Sequence, residues 1–262
     1  MSPIHRSTLK LINHNSCWSF YRRGTINNKL RFESIRSVMN STSVTSLKKI
    51  ASYSVHKEGS RPLSLIICMG FIEKFSYKPN PSKSAIVNAA NEQCLGGGGV
   101  DGAISLAGGP ELLKDRKELS VIKGAVRCNT GEARITGPAK YGELNTPYVI
   151  HCVGPNYFEY GGERTPIADE LLAKTYINAL ERARDVKLEA VAFSLISSGI
   201  FRGNRTKFDV FQIGMKAICD YEPYEELKEI YLCALSHNDA YEIISIAATL
   251  GLKMDSHVTG GF

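Results

Sequence analysis

The sequence predicts an α/β domain built on a sheet with crossover helices, and three observations carry that prediction. From about Ser60 onward, short apolar runs of strand length alternate with stretches of helical periodicity. Glycine gathers in two loops that each follow a strand and precede a helix, the place where such sheets bind ligands. The chain has 262 residues, 43% of them hydrophobic and 22% charged, enough to bury one large core or two small ones. No internal repeat interrupts this order.

The expected strands, in chain order, are Leu63–Met69, Ser84–Val87, Tyr148–Val153, Ala190–Leu195 and Ile230–Leu235, each a short run rich in aliphatic or β-branched residues. The expected helices are Gly102–Ala107, Asp169–Asp185, Phe208–Tyr221 and Asp239–Leu250. The second is the clearest, because Ala168, Leu171, Leu172, Tyr176, Ala179 and Leu180 fall on one face and Glu181, Arg182 and Arg184 stand near its end. These elements place the domain at 60–254, with 255–262 as a flexible C-terminal tail.

Residues 1–47 have a different composition. They hold seven basic residues against one acid, Glu33, which is the whole of the net charge of +6, and they mix Ser, Arg and Asn with scattered apolar residues such as Leu9, Trp18 and Phe20. That is the composition of an organellar transit peptide, mitochondrial before plastid. The alternative is a disordered basic tail on a cytoplasmic or nuclear protein. A secretory signal is not expected, because no continuous apolar segment of about 7 to 15 residues is present there.

With the leader set aside, basic and acidic residues balance, which argues against a large phosphate-backbone footprint and so against nucleic acid as a partner. No run approaches the roughly 18 apolar residues that a membrane span requires. The seven cysteines show no paired spacing and read as free thiols of a reducing compartment. Cys68, Cys152 and Cys233 lie in strand-like runs and are expected to be buried and inert. No second histidine stands at metal spacing from His151, which reads as a hydrogen-bonded strand residue, so no metal is expected.

The most informative segment is Ser84 to Ile104, in which a strand ends in Asn88 and Asn91 and four glycines, Gly96 to Gly99, then lead into a helix. Glycine lets the backbone approach an anion closely, and the free N–H groups of a helix start carry about half a positive charge. A ligand bearing phosphate follows from that. The run Gly97-Gly98-Gly99-Val100-Asp101-Gly102 also fits the G-x-G-x-x-G pattern of dinucleotide binding, but the acid expected about 20 residues on is Glu118, inside the charged run from Lys114. A nicotinamide-dependent oxidoreductase is therefore a lesser alternative. The triphosphatase glycine loop is absent.

The stretch AIVNAAN from Ala85, GGGGVDGAI from Gly96, TGEARIT from Thr130, VIHCVGP from Val149 and SSGIF from Ser197 together resemble the macrodomain family, in particular its ADP-ribosyl hydrolase branch. The resemblance covers about Leu65 to Leu250, in order and at matching spacings. It implies a single three-layer α/β/α domain with a mixed central sheet. It also implies that Asn88, Gly98, Gly99, Val100, Gly102, Ala103 and Ile104 on one side, and Ser197, Ser198, Gly199, Ile200 and Phe201 on the other, hold the ligand. Asn91 and Asp101 match the positions that hold the distal ribose and orient water. From residue chemistry alone, Asp101 has a second role as the N-cap of a helix starting at Gly102, and Asn88 and Asn91 as turn formers.

Two departures bear on function. Phe71 follows Gly70 where the family usually has an aspartate that pairs with the adenine amino group, so base selection falls elsewhere, with Glu73 as a candidate. Ser105 stands where hydrolase members often have histidine, and serine does not titrate near pH 7. The expected function is binding of ADP-ribose and water-driven hydrolysis of ADP-ribosyl derivatives, either mono-ADP-ribosylated protein or O-acyl or phosphorylated ADP-ribose. No cofactor is required for this, the chain acts as a monomer, and its partner is ADP-ribose or an ADP-ribosylated protein. The alternative is a reader module without turnover.

Overall fold

The computed structural model describes residues 47–55 and 63–255. The leader expected over 1–47 lies outside the described residues apart from Leu47, as does the expected tail apart from Asp255.

Among the described residues seven strands form one sheet: β1 (Lys48–Val55), β2 (Leu63–Met69), β3 (Ser84–Ala89), β4 (Ala133–Thr136), β5 (Tyr148–Cys152), β6 (Ala190–Ser194) and β7 (Glu229–Ala234). Their order is β1-β2-β7-β6-β3-β5-β4. The five inner strands run parallel, and each edge strand is antiparallel to its neighbour, so the sheet is mixed. Four α-helices among the described residues cover it: α1 (Gly99–Glu118), α2 (Thr165–Asp185), α3 (Lys207–Asp220) and α4 (His237–Thr249).

Alternation along the inner strands sorts the side chains to two faces, as a period of two requires. Ile86, Val149, Ala192, Tyr231 and Cys233 pack in one cluster with Ile104 and Leu112 of α1. The alternate residues face α2, α3 and α4, where the Tyr176 ring of α2 stacks on Phe193 of β6 at 5.2 Å. Helices α2 with α3 and α3 with α4 pack side by side. The result is the three-layer α/β/α arrangement expected from the sequence.

Each expected inner strand and helix is present, with ends displaced by a few residues. The largest change is in α1, which begins at Gly99 and continues to Glu118 past a bend where Gly109 takes a positive φ of 67°. Pro110 has no N–H to lose and restarts the helix after the bend. Helix α3 opens on a capping box, in which Thr206 Oγ1 accepts from the Asp209 N–H and the Asp209 carboxylate accepts from the Thr206 N–H.

The two strands that the sequence does not announce are the edges. β1 mixes Lys and Ser into its alternation, and β4 is four residues long, so neither stands out by apolar content. The domain is accordingly longer than 60–254. β1 adds to β2 at the sheet edge, and Asp255 is bound to β1 through its N–H to Ser52 O at 2.9 Å and its carboxylate to Ser52 Oγ and Ser54 Oγ at 2.9 and 3.0 Å.

Candidate functional site

A cavity of about 660 Å³ opens at the carboxyl ends of the parallel strands. That volume falls within the range of small-molecule sites. One wall is Asn91, Gly97 to Asp101 and Ala103, and the opposite wall is Ile196 to Phe201. Gly70, Phe71, Ile72, Glu73, Leu235 and Asp239 close one end. The two loops are neighbours because β3 and β6 are paired, so the segments leaving their ends rise side by side.

The first wall is built by glycine. Gly99 adopts a positive φ of 59°, and a Cβ on Gly98 or Gly99 would meet no atom within 4 Å, so the bare backbone faces open space. Gly98 is the N-cap of α1 and offers no side-chain cap. The N–H groups of the first turn thus lack an acceptor inside the helix and carry its positive pole to the cavity wall. Gly102 serves packing instead, since a Cβ there would come within 2.9 Å of Gly97 O.

In the opposite wall Ser197, at a φ of 56°, donates from Oγ to Pro155 O at 2.8 Å, and Ser198 Oγ donates to Leu195 O at 2.6 Å. The hydroxyls therefore shape the loop. Its internal backbone bonds run from Ser198 N–H to Leu195 O and from Arg202 N–H to Gly199 O, and neither uses the N–H of Gly199, Ile200 or Phe201. Gly154 matters here too, because a Cβ on it would lie 2.3 Å from Ser197 Oγ.

Asp101 is the third residue of α1, so it is not the N-cap of a helix starting at Gly102. It lines the cavity yet is only 2% exposed. Its Oδ1 accepts from Asn88 Nδ2 at 2.8 Å and from Arg116 Nη2 at 2.5 Å, while Oδ2 has no partner among the described residues. Asn88 is wholly buried behind the wall and does not line the cavity; its Nδ2 donates to Asp101 Oδ1. Ile104 is likewise core. Asn91 does line the cavity, and also clamps the loop: its Nδ2 donates to Gly96 O at 2.9 Å and its Oδ1 accepts from the Gln93 N–H at 3.1 Å.

Behind Asp101 lies a buried polar network. Arg116 donates from Nη1 to Ser105 Oγ at 2.6 Å and from Nε to His151 Nδ1 at 3.4 Å, and Ser105 Oγ donates to Asp101 O at 2.6 Å. His151 Nδ1 faces only donors, from Arg116 and Asn88, so its proton sits on Nε2 and is shared with Thr136 Oγ1 at 3.1 Å. Burial, and then the nearby guanidinium, hold the His151 pKa well below its ordinary 6.5.

A histidine kept neutral in the folded chain but free to protonate when unfolded makes the unfolded state the stronger proton binder below pH 6.5. Stability is expected to fall as pH drops through that value, by up to about 1.4 kcal/mol per unit from this residue. Urea unfolding of wild type and His151→Asn at pH 7.5 and 5.5 checks it: wild type should lose more than the variant. Equal losses would exclude His151 as the source.

At the far end, Phe71 is 38% exposed on the cavity rim beside Glu73. Asp239, which sequence reasoning did not single out, also lines this end and is paired with Lys207 Nζ at 2.6 Å. Its only sequence signal is the spacing from Ser236, whose Oγ accepts from the Asp239 N–H at 3.1 Å; that marks a helix start and says nothing of a cavity. Glu118, the acid that a dinucleotide fold would need at a strand end, is exposed at the last residue of α1. Among the described residues no group of His, Cys, Asp and Glu is arranged to hold a metal ion, and no helix is long and apolar enough to cross a membrane.

The family model for the Macro domain matches residues 87–207, a span that contains both cavity walls from Asn91 to Phe201. A macro domain-containing protein of Caldanaerobacter subterraneus is 39% identical over 163 residues, which is 62% of this chain and 86% of that relative. The chain belongs to the macrodomain family. Solved macrodomains are similar in structure as well. The Oceanobacillus iheyensis macrodomain with ADP is 29% identical, with a TM-score of 0.64 over 79% of this chain and 98% of that one. The Trypanosoma brucei macrodomain in complex with ADP-ribose is 29% identical, with a TM-score of 0.55 over 69% and 68% of the two chains. This macrodomain therefore has the family's mixed-sheet fold, with a cavity flanked by two donor-rich loops.

Proposed function

We propose that this macrodomain binds ADP-ribose between its two loops and hydrolyses ADP-ribosyl derivatives. The observation that carries the reading is the unpaired, buried Oδ2 of the cavity-lining Asp101, set close beside Gly97 in a wall otherwise furnished with backbone N–H donors. The donors suit a diphosphate, each bond to a charged oxygen contributing about 1.5 to 3 kcal/mol. A lone carboxylate oxygen beside them repels phosphate and suits the sugar hydroxyls or a water molecule. In the step envisaged, the water oxygen bonds to the anomeric or acyl carbon of the distal ribose derivative and its proton passes to Asp101 Oδ2. The bond to the leaving oxygen breaks, and that oxygen takes up a proton.

One observation favours the reader alternative: both polar atoms of Asn91 already serve the loop, which leaves less of it to orient water. We read the chain as a monomer acting on ADP-ribosylated protein, and the basic leader as a mitochondrial address.

Calorimetric titration of the full chain with ADP-ribose and NAD, followed by release of ADP-ribose from a protein modified on acidic residues, tests the reading. Binding of ADP-ribose with turnover supports hydrolysis. Binding without turnover leaves the reader module, and preference for NAD would return the oxidoreductase reading.

A further inference from the structure

We infer that Arg116 is the positioning residue of this site: it fixes the Asp101 carboxylate so that Oδ1 is spent inside the fold and Oδ2 faces the ligand. The inference rests on the reading that Asp101 acts on the distal ribose. Arg116 itself is 1% exposed and does not touch the cavity.

A carboxylate on a flexible side chain has two equivalent oxygens and no intrinsic reason to present one of them. Here Oδ1 receives Arg116 Nη2 at 2.5 Å and Asn88 Nδ2 at 2.8 Å, while Oδ2 lies 3.0 Å from the place where Gly97 lacks a Cβ. Loading the donors on one oxygen defines the rotation of the group. The guanidinium can do this only because it is held in turn. Nη1 is bonded to Ser105 Oγ and Nε to His151 Nδ1, so its planar fork has one orientation.

The chain is shaped to deliver the residue. The restart of α1 at Pro110 places Leu112 and Arg116 one helical turn apart on the buried face. Neutral His151 contributes a lone pair, where an imidazolium would present a like charge. Ser105 accepts from Arg116 and donates to Asp101 O, so its small hydroxyl links the two ends of the pair. The guanidinium also balances the carboxylate in a site with almost no solvent, where an uncompensated charge is costly.

The test uses two ligands that differ only in the distal ribose. Wild type, Arg116→Met and Arg116→Lys are titrated calorimetrically with ADP and with ADP-ribose, with thermal unfolding of each as a control. For Arg116→Met the Kd for ADP should stay within about twofold of wild type. The Kd for ADP-ribose should rise about 10-fold or more, the loss of one charged hydrogen bond. Arg116→Lys should recover part of the difference, since it keeps the charge and loses the fork. Should Arg116→Met not fold, Arg116→Lys carries the test through a ratio of ADP-ribose to ADP affinity below that of wild type. Where wild type turns over, kcat should fall in the same order, and Arg116→Met should add nothing in an Asp101→Asn background.

Parallel weakening of both ligands, or no change in their ratio, would overturn the inference and reduce Arg116 to a stabilising residue. A wild type that binds both ligands without turnover would remove the hydrolase reading and leave the positioning test intact. A wild type that binds neither would overturn both.

Discussion

Asp101→Asn is expected to lower the release of ADP-ribose about 10²- to 10⁴-fold, the contribution of a positioned base, while ADP binding is retained. The amide cannot take a proton from water, yet it keeps an oxygen towards Arg116 and Asn88, so the buried pair is disturbed less than by truncation. Asp101→Ala is expected to be worse for the fold. It leaves the Arg116 guanidinium, at 1% exposure, without its carboxylate partner, and breaking a buried pair costs about 3 to 5 kcal/mol. Single-turnover kinetics together with denaturant unfolding of the two variants separate these effects. Loss of turnover in both with a stability gap between them is the expected pattern. Full turnover in Asp101→Asn would remove Asp101 from the chemistry.

Gly142→Ala is expected to destabilise the fold by about 3 kcal/mol without touching the cavity. Gly142 holds a φ of 41°, and a Cβ there would lie 2.3 Å from Ala107 O and 3.2 Å from the Gly108 carbonyl carbon, all of it backbone that a rotamer change cannot move. The same turn receives α1, through the Glu143 N–H to Ala107 O bond at 2.8 Å. Left-handed strain and overpacking each cost about 1 to 3 kcal/mol. For a domain of this size the thermal midpoint should fall by roughly 6 to 12 °C, readable by calorimetry. A fall of less than about 2 °C would show that the turn relaxes freely.

The inner sheet was legible because burial on both faces demands continuous apolar runs, as in β2, β3 and β6, and because α2 shows its buried face through helical periodicity. The edge strands were not legible. An edge is buried on one side and bordered by solvent, so β1 carries Lys and Ser, and β4 is too short for its alternation to register. The glycine run was legible as a loop entering a helix, and the structure leaves the backbone of Gly98 and Gly99 bare towards open space, with Gly99 also held at a positive φ. The resemblance implied a ligand contact for Asn88, and its place at a strand end a turn former; the register of β3 with β5 sets it beside His151, where its Nδ2 donates to Asp101 Oδ1.

By itself the sequence determined the α/β class and the two glycine-bearing loops that follow strands, since backbone freedom and periodicity are local properties, and the family resemblance added Asn91 and Asp101 as expected site residues. Only the tertiary structure decided the hydrogen bonding of Asp101. Arg116 sits in a run from Lys114 to Glu118 that reads as a solvated charged surface, and the bend at Gly109 rotates this one residue of the run into the core. Which oxygen of Asp101 is free depends on four side chains, Asn88, Ser105, Arg116 and His151, brought together from β3, both halves of α1 and β5. Partners separated by up to 63 positions leave no periodic mark on the chain, because their contact is created by packing rather than by spacing.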